Sequence, residues 1–449
     1  MSRRVLVVGL RMTGLATARA LAAGGDAVTV VEERPGQSGY AERAAEVRAA
    51  GVGLVESPAP EDWAGLVAAS DLVVPSPGVA PGHPVLAAAA AAGVPVRGDV
   101  DLAVASAEVP VCVVTGTNGK TTVTTLIAAM LEASGVRAPA AGNIGWALLD
   151  ALRVPMDVLV AEVSSFQLHT TTTTFTPRVA VLLNVADDHL DWHGSFEAYA
   201  DAKARCFRFQ GPDDLLVFNA DDPVVARLAA TAPGRRIPCS TAPDATEGYR
   251  ILDGHLVTPT AAPIVAVTDL PMRAPHDLAN ALAASAAALD LGANPEGVRA
   301  ALRSATRLHH RVEPIGETRG VRFIDDSKAT NPHATLTALS GFDRVVLIAG
   351  GRNKGLDLGV LGGGAGRLVG VVAIGDAAGE VETALAAEVP TVRAASMRAA
   401  VRTAAGMAAA GDVVLLSPAC ASFDWYGSYE ERGEDFRAEV EALIAEGHA

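Results

Sequence analysis

Four lysines stand among 36 basic side chains, and each falls inside a cluster of chemically active residues. Lys120 lies in GTNGKTT, Lys203 in YADAK, Lys328 in DDSKATN and Lys354 in GGRNKG. Every other basic residue is arginine. Lysine is kept where a compact ammonium, or an amine able to lose its proton, has work that guanidinium cannot do.

The strongest pattern is Thr115-Gly116-Thr117-Asn118-Gly119-Lys120-Thr121-Thr122. It follows an apolar strand and opens a helix, the position of a phosphate cradle. Amides from Gly116 to Thr122 would hold the phosphates of a nucleotide, Lys120 would balance the β/γ charge, and the Thr121 hydroxyl would bind Mg²⁺. Val114 stands where the ordinary pattern has its first glycine, so this is a shortened variant. Glu162 ends the apolar run of AEVSSFQL, where an ionised carboxylate is costly unless a cation compensates it. A Mg²⁺ shared with Thr121 would do so. Farther on, LNVADDHLDWHGSFEAYADAK gathers Asp187, Asp188, His189, Asp191 and Lys203 beyond the end of another strand. That is the usual crevice of an open α/β sheet. Asp191 and His193 read equally as ligands and as capping or surface residues.

A second glycine turn opens the chain. Gly9 and Gly14 fit the outer positions of a dinucleotide fingerprint, but Arg11 replaces the middle glycine that lets backbone approach a pyrophosphate. This disfavours NAD and still permits a nucleotide-sugar phosphate at the helix start. Glu32, at the end of the next strand, is placed to accept from a ribose or uracil, and equally reads as a solvated strand-end carboxylate.

Three α/β blocks must position these groups. In the first, a strand over Val5–Val8, a helix from about Leu15, a strand ending at Glu32, and strands at Asp71–Pro75 and Val94–Arg97 form a small parallel sheet. The second has strands at Val111–Thr115, Asp157–Val163 and Val179–Val185, with a helix from Thr121. The third begins near Arg307, with VRFIDD, RVVLIAGG, LVGVVAIG and DVVLLSPA as strands. Such alternation points to parallel sheets covered on both faces. Ala87–Ala92 reads as helix closed by Gly93, Thr170–Thr174 as a loop or edge strand, and Gly362–Gly366 as a flexible loop.

Composition narrows the partners. Half of the 449 residues are hydrophobic, enough for two to four domains. A formal net charge of −15 argues against nucleic acid or an anionic membrane. Cys112, Cys206, Cys239 and Cys420 show no metal spacing and read as free thiols of a reducing cytosol. The apolar run after Arg3-Arg4 is too short for a signal peptide, and no stretch suffices to span a bilayer. The expectation is a cytoplasmic protein.

GTNGKTT, AEVSSFQL, LNVADDHLDWHGS…YADAK, NADDP, HHRVE, DDSKATNP and LLSPACASFDWY…YEERGEDF occur in one order along nearly the whole chain. In this the sequence resembles the Mur ligases, ATP-dependent enzymes that build the peptide stem of peptidoglycan. The DSKATN and SPACASFD…ERG stretches, with a short first domain, resemble the branch that adds D-glutamate to UDP-N-acetylmuramoyl-L-alanine. The resemblance implies three domains. Residues 1–98 would be a Rossmann-like UDP-substrate domain, 99–306 a P-loop ATPase-like domain on a parallel or mixed sheet, and 307–449 a Rossmann-like amino-acid domain.

The resemblance also assigns roles. Lys120, Glu162, His189 and Lys203 would be catalytic, with Thr121 and Glu162 on one Mg²⁺. His189 and Lys203 would hold a second Mg²⁺, Lys203 being carbamylated by CO₂, a reaction open to an amine and closed to arginine. Asn280, Arg311 and Asp326 would meet the adenosine of ATP. Met12, Thr13, Glu32, Ser76, Pro77 and Gly78 would hold the uridine diphosphate, and Asn143 with His189 the muramoyl end. Lys328, Thr330, Lys354, Ser422 and Tyr429 would receive the glutamate. A monomer acting on small molecules alone is implied. Ala274-Pro275-His276-Asp277 departs from the family's G-x-H-N, and Tyr429 replaces a common Phe. A sibling ligase taking L-glutamate or another amino acid would share the ATP residues. A non-catalytic nucleotide-binding subunit would be expected to lose Lys203 or His189.

Overall fold

A computed structural model describes residues 2–447 and folds them around three sheets. The first has four parallel strands in the order Gly53–Glu56, Ala27–Glu32, Arg4–Val8, Leu72–Pro75. Val5 and Val7 face one apolar cluster and Leu6 and Val8 the other, the period-two burial of a sheet covered on both sides. The chain moves outward from Arg4–Val8 in one direction and then places Leu72–Pro75 on its other flank. The crevice beyond these two strand ends is a topological switch point.

The expected strand at Val94–Arg97 reduces to one bridge between Val73 and Val96. Pro95 has no amide to donate, although its carbonyl accepts from Val73 N at 2.9 Å. The helix Pro84–Ala92 does end at Gly93, which adopts φ +67°.

The second sheet has nine strands. Its order is Pro263–Ala266, His255–Val257, Tyr249–Leu252, Arg235–Ser240, Leu215–Asn219, Val179–Leu182, Val111–Thr115, Leu159–Glu162, Ala140–Gly142. The Tyr249–Leu252 to Pro263–Ala266 end is antiparallel and the remainder parallel, so the sheet is mixed. Val111–Thr115 lies between Val179–Leu182 and Leu159–Glu162, again at a switch point. Thr170–Thr174 is a turn region. The Thr172 and Thr174 hydroxyls and the Arg97 guanidinium donate to the fully buried Asp101 carboxylate.

The third sheet runs Glu313–Thr318, Val321–Asp325, Val413–Leu416, Val345–Gly350, Leu368–Ile374, Thr391–Arg393. Only its first pair is antiparallel. Leu347, Ala349, Val371 and Leu415 pack on one face, and Val346, Ile348, Val372 and Leu416 on the other. The expected loop at Gly362–Gly366 belongs instead to a 3₁₀ helix, Leu358–Arg367. Asp357 accepts from Gly359 N at its start, and Leu358 and Leu361, three apart, are buried together.

The chain forms two compact units. One takes the chain up to Val185 with Trp192–Leu270 and Ala279–Ser304, and carries the first two sheets. The other takes Ala186–Asp191, Pro271–Leu278 and the chain from Ala305, and carries the third. Among the described residues no helix is long and apolar enough to cross a membrane.

Candidate active site

The phosphate-cradle sequence turns between the buried strand Val111–Thr115 and the helix Lys120–Ala133. Gly119 caps that helix at φ +87°, which L side chains rarely adopt, and a Cβ there would lie 2.8 Å from Asn280 Oδ1 and oblige that amide to move. The neighbouring strand end clamps the loop. Asn184 O accepts from Thr117 N at 2.9 Å, Asn184 Oδ1 accepts from Asn118 N at 2.7 Å, and Asn184 Nδ2 donates to Asn118 O at 3.1 Å. Asn184 lies inside a quoted motif, yet its type alone gave no reason to single it out.

Two lysine amines converge on one carbonyl. Lys120 Nζ donates to Gly116 O at 2.9 Å and to Thr117 O at 2.8 Å. Lys203 Nζ, almost fully buried, donates to Gly116 O at 2.7 Å and lies 4.6 Å from the centre of the Tyr199 ring. The Tyr199 hydroxyl is 3.0 Å from Thr117 Oγ1. Lys203 and Tyr199 reach the loop together because they lie four apart on the helix Phe196–Ala204.

Glu162 pairs in register with Val114 on the adjacent strand, two residues ahead of the glycine loop. It is 2 % exposed. Its Oε1 accepts from Asn143 Nδ2 at 2.9 Å, while Oε2 is buried without a hydrogen-bond partner. A desolvated carboxylate oxygen in that condition is costly and suits a cation. With the Thr121 hydroxyl on the opening turn of the helix, the donor set is oxygen, as a hard divalent ion requires. The residues present therefore fit Mg²⁺.

In the first sheet, Gly14 packs against the turn so closely that a Cβ would meet Gly9 O at 2.0 Å. The helix Met12–Ala23 starts from Arg11 with no side-chain cap, leaving its first amides for an anion. Glu32 is neither simply solvated nor simply poised for a ligand. Its Oε2 accepts from Leu10 N at 2.7 Å and its Oε1 from Arg34 N at 2.9 Å. Arg43 Nε donates to Leu10 O at 2.7 Å, so Glu32 and Arg43 fix the glycine turn from two elements. Met12 is exposed, Thr13 half-buried, and Ser76-Pro77-Gly78 follows the strand across the switch point.

The second unit gathers its candidates in the same way. Lys328, Lys354 and Ser422 follow Val321–Asp325, Val345–Gly350 and Val413–Leu416, three neighbouring parallel strands, so all lie beyond one end of the sheet. Lys328 Nζ sits 4.8 Å from the Tyr429 ring centre. Asp188 Oδ2 accepts from Asn331 Nδ2 at 3.1 Å, and Asp188 Oδ1 is 3.8 Å from Lys354 Nζ. His189 takes φ +53°, with its Nε2 3.6 Å from Asp188 Oδ2. Thr330 lies half-buried in the loop after Lys328.

Asp326 accepts from Ser417 Oγ at 2.8 Å and from Val312 N at 3.2 Å. Burial pushes its carboxyl up to about 7, against the Ser417 hydroxyl and the Arg311 cation, which favour the ion. Arg432 was not among the expected residues. It is 1 % exposed and donates to Ser327 Oγ (3.0 Å), Ser327 O (2.7 Å) and Cys420 O (3.0 Å), tying the Lys328 loop to the Ser422 loop. Burial lowers its guanidinium to about 10. In the departed Ala274–Asp277 stretch, Asp277 Oδ2 accepts from Ala274 N and from Arg307 Nη2, each at 3.1 Å. A carboxylate thus does the local work there and gains a cation.

Comparison with known proteins gives the family. Family models match as "Mur ligase MurD-like, N-terminal domain" at residues 3–98, "Mur ligase middle domain" at 114–288 and "Mur ligase, glutamate ligase domain" at 310–420. A UDP-N-acetylmuramoylalanine–D-glutamate ligase of Frankia casuarinae is 46 % identical over 98 % of this chain and 94 % of its own. One from Thermobifida fusca is 42 % identical over 98 % of each. Among solved structures, MurF from Acinetobacter baumannii superposes with a TM-score of 0.62 at 18 % identity, covering 92 % of this chain and 91 % of that one.

Proposed function

This chain belongs to the Mur ligase family, and from that premise we propose that it joins D-glutamate to UDP-N-acetylmuramoyl-L-alanine at the expense of ATP, a step of peptidoglycan synthesis. The observation that carries this reading is the full-length likeness to ligases named for that reaction. The three-domain division at residues 98 and 306, a cytoplasmic location and a monomeric state belong to the same proposal.

In this reading the loop from Gly116 to Thr122 binds the ATP phosphates through Lys120 and its amides from Gly119 onward, those of Thr117 and Asn118 being taken by Asn184, and Asn280, Arg311 and Asp326 meet the adenosine. Met12, Thr13, Glu32 and Ser76-Pro77-Gly78 hold the uridine diphosphate, with Asn143 and His189 at the muramoyl end. Thr121 and Glu162 would hold one Mg²⁺; His189 and a carbamylated Lys203 would hold a second. Mg²⁺ supplies Lewis-acid polarisation and charge neutralisation. The substrate carboxylate takes the γ-phosphoryl group of ATP, giving an acyl phosphate and ADP. Lys120, whose Nζ is held by Gly116 O and Thr117 O, would supply a fixed cation for the charge that develops there. Lys328 and Lys354 take the two carboxylates of glutamate, with Thr330, Ser422 and Tyr429 beside them, and so orient its amine. That amine attacks the acyl carbon, and phosphate leaves.

The test is phosphate release from ATP, Mg²⁺ and UDP-N-acetylmuramoyl-L-alanine, with D-glutamate and L-glutamate in parallel. Release dependent on D-glutamate is expected. Release with L-glutamate alone would overturn the substrate assignment, and release with neither would overturn the activity.

A further inference from the structure

His193 has no part in the roles described so far, yet it stands between the two halves of the metal and phosphate site. Its Nε2 lies 3.0 Å from Ser165 Oγ. Ser165, 3 % exposed, begins the short helix Ser165–His169 immediately after the strand that ends in Glu162. That turn is otherwise pinned by Ser164 and Gln167, each capping the other's backbone.

On its other side the His193 ring meets Tyr199 edge-on, with centroids 5.1 Å apart. It also stacks on Phe166 at 5.7 Å and 15°. Tyr199 is the residue whose hydroxyl reaches Thr117 and whose ring lies against the Lys203 ammonium. The two segments flanking His193 therefore carry Glu162 on one side and, on the other, Lys203 with the Tyr199 that reaches Thr117. Movement of either by a fraction of an ångström would change the spacing of the oxygen donors, which a small divalent ion tolerates poorly.

We propose that His193 is a positioning residue, bonded to Ser165 and packed on Tyr199, that sets the separation of Glu162 from the Thr117–Lys203 cluster and so the Mg²⁺ requirement for nucleotide binding. The inference rests on the ATP and Mg²⁺ reading above. It makes no use of which amino acid is ligated.

The experiment is calorimetric titration of the full chain with the β,γ-methylene analogue of ATP at stepped Mg²⁺ concentrations. His193→Phe keeps the ring packing and removes the bond, and Ser165→Ala removes the same bond from the other end. Both are expected to raise the half-saturating Mg²⁺ about tenfold, the scale of losing a residue that orients a metal ligand. His193→Gln, whose amide nitrogen reaches about as far as Nε2, is expected to recover most of that loss. An unchanged Mg²⁺ requirement in both His193→Phe and Ser165→Ala would overturn the proposal, even if their melting temperatures fall. So would a His193→Gln variant as impaired as His193→Phe, or a wild type whose nucleotide binding ignores Mg²⁺. A wild type that binds the analogue with Mg²⁺ but ligates no glutamate would fail the functional reading while these variants still decide this one.

Discussion

Asp326 is the carboxylate whose ionisation the fold resists, because burial outweighs the Ser417 hydroxyl and the Arg311 cation beside it. Its folded value of about 7 lies above the ~3.9 of an unfolded aspartate. The native state therefore holds this proton more tightly than the unfolded chain does. The stabilisation is full below the unfolded value and is lost as pH rises through about 7. Asp326→Asn removes the titration. Its melting temperature relative to wild type should climb between pH 4 and pH 7 and level off above, and a flat difference across that window would refute the assignment. At Glu162 the test is one of packing and chemistry rather than titration. Its Oε2 is buried without a partner, so Glu162→Gln should melt no lower than wild type in the absence of Mg²⁺ and yet lose ATP-dependent phosphate release. A melting temperature well below wild type would show that the carboxylate serves stability as well. The four lysines stood out in the sequence because every other basic residue is arginine, and Glu162 because a carboxylate ending an apolar run demands a reason. Asn184 and Arg432 did not, because each acts mainly through backbone groups that the fold brings to it.

Elements place these residues through strand order more than through any single loop. In each sheet the candidates follow adjacent parallel strands, and in the first two they flank the strand where the order reverses. Two positions test this. Gly14 allows its helix to close on the turn, and Gly14→Ala would drive a Cβ to 2.0 Å from Gly9 O. Overpacking of that kind costs about 1–3 kcal/mol. The expected result is a raised KM for the uridine substrate with the KM for glutamate unchanged. Arg432 joins the loops after Val321–Asp325 and Val413–Leu416. Arg432→Ala leaves buried carbonyls unpaired, at a cost of about 1–3 kcal/mol for each such group. Its glutamate KM should rise while binding of the ATP analogue stays as it was, and a loss of both would place its effect on the whole fold. The strands read well from sequence wherever apolar runs were bounded by glycine or charge, as at Val111–Thr115. They read poorly where proline interrupts the ladder, at Pro95, or where short strands alternate weakly, as across residues 215–266. The 3₁₀ helix Leu358–Arg367 was hidden by its own glycines, because its order comes from Leu358 and Leu361 finding the core.

At the scale of the whole molecule the candidate residues divide between separately cored units. The apolar cluster that begins at Val5 and Val74 of the first sheet continues through Leu102 and Val104 to Val113 and Leu182 of the second. The third sheet has clusters of its own on both faces. Each unit thus buries enough apolar surface to melt cooperatively, and a single stability figure for the chain is not well defined. Under the proposed function, the uridine diphosphate and the ATP phosphates are held by the unit with the first two sheets, whereas glutamate meets Lys328, Lys354 and Ser422 of the other, which also carries His189. Scanning calorimetry should therefore resolve two transitions. A ligand that binds only the folded form at one hundred times its Kd stabilises by about 2.7 kcal/mol, and it acts on the unit that binds it. Uridine diphosphate, whose proposed contacts Met12, Thr13, Glu32 and Ser76–Gly78 all lie in the first unit, should move one transition upward and leave the other in place. If both transitions shift equally, the units share their stability, and the uridine diphosphate is then felt beyond the sheets that hold it. If the untouched transition is the one lost in a variant with a disrupted first sheet, the assignment of that substrate to the Gly9–Gly14 and Ser76–Gly78 turns fails with it.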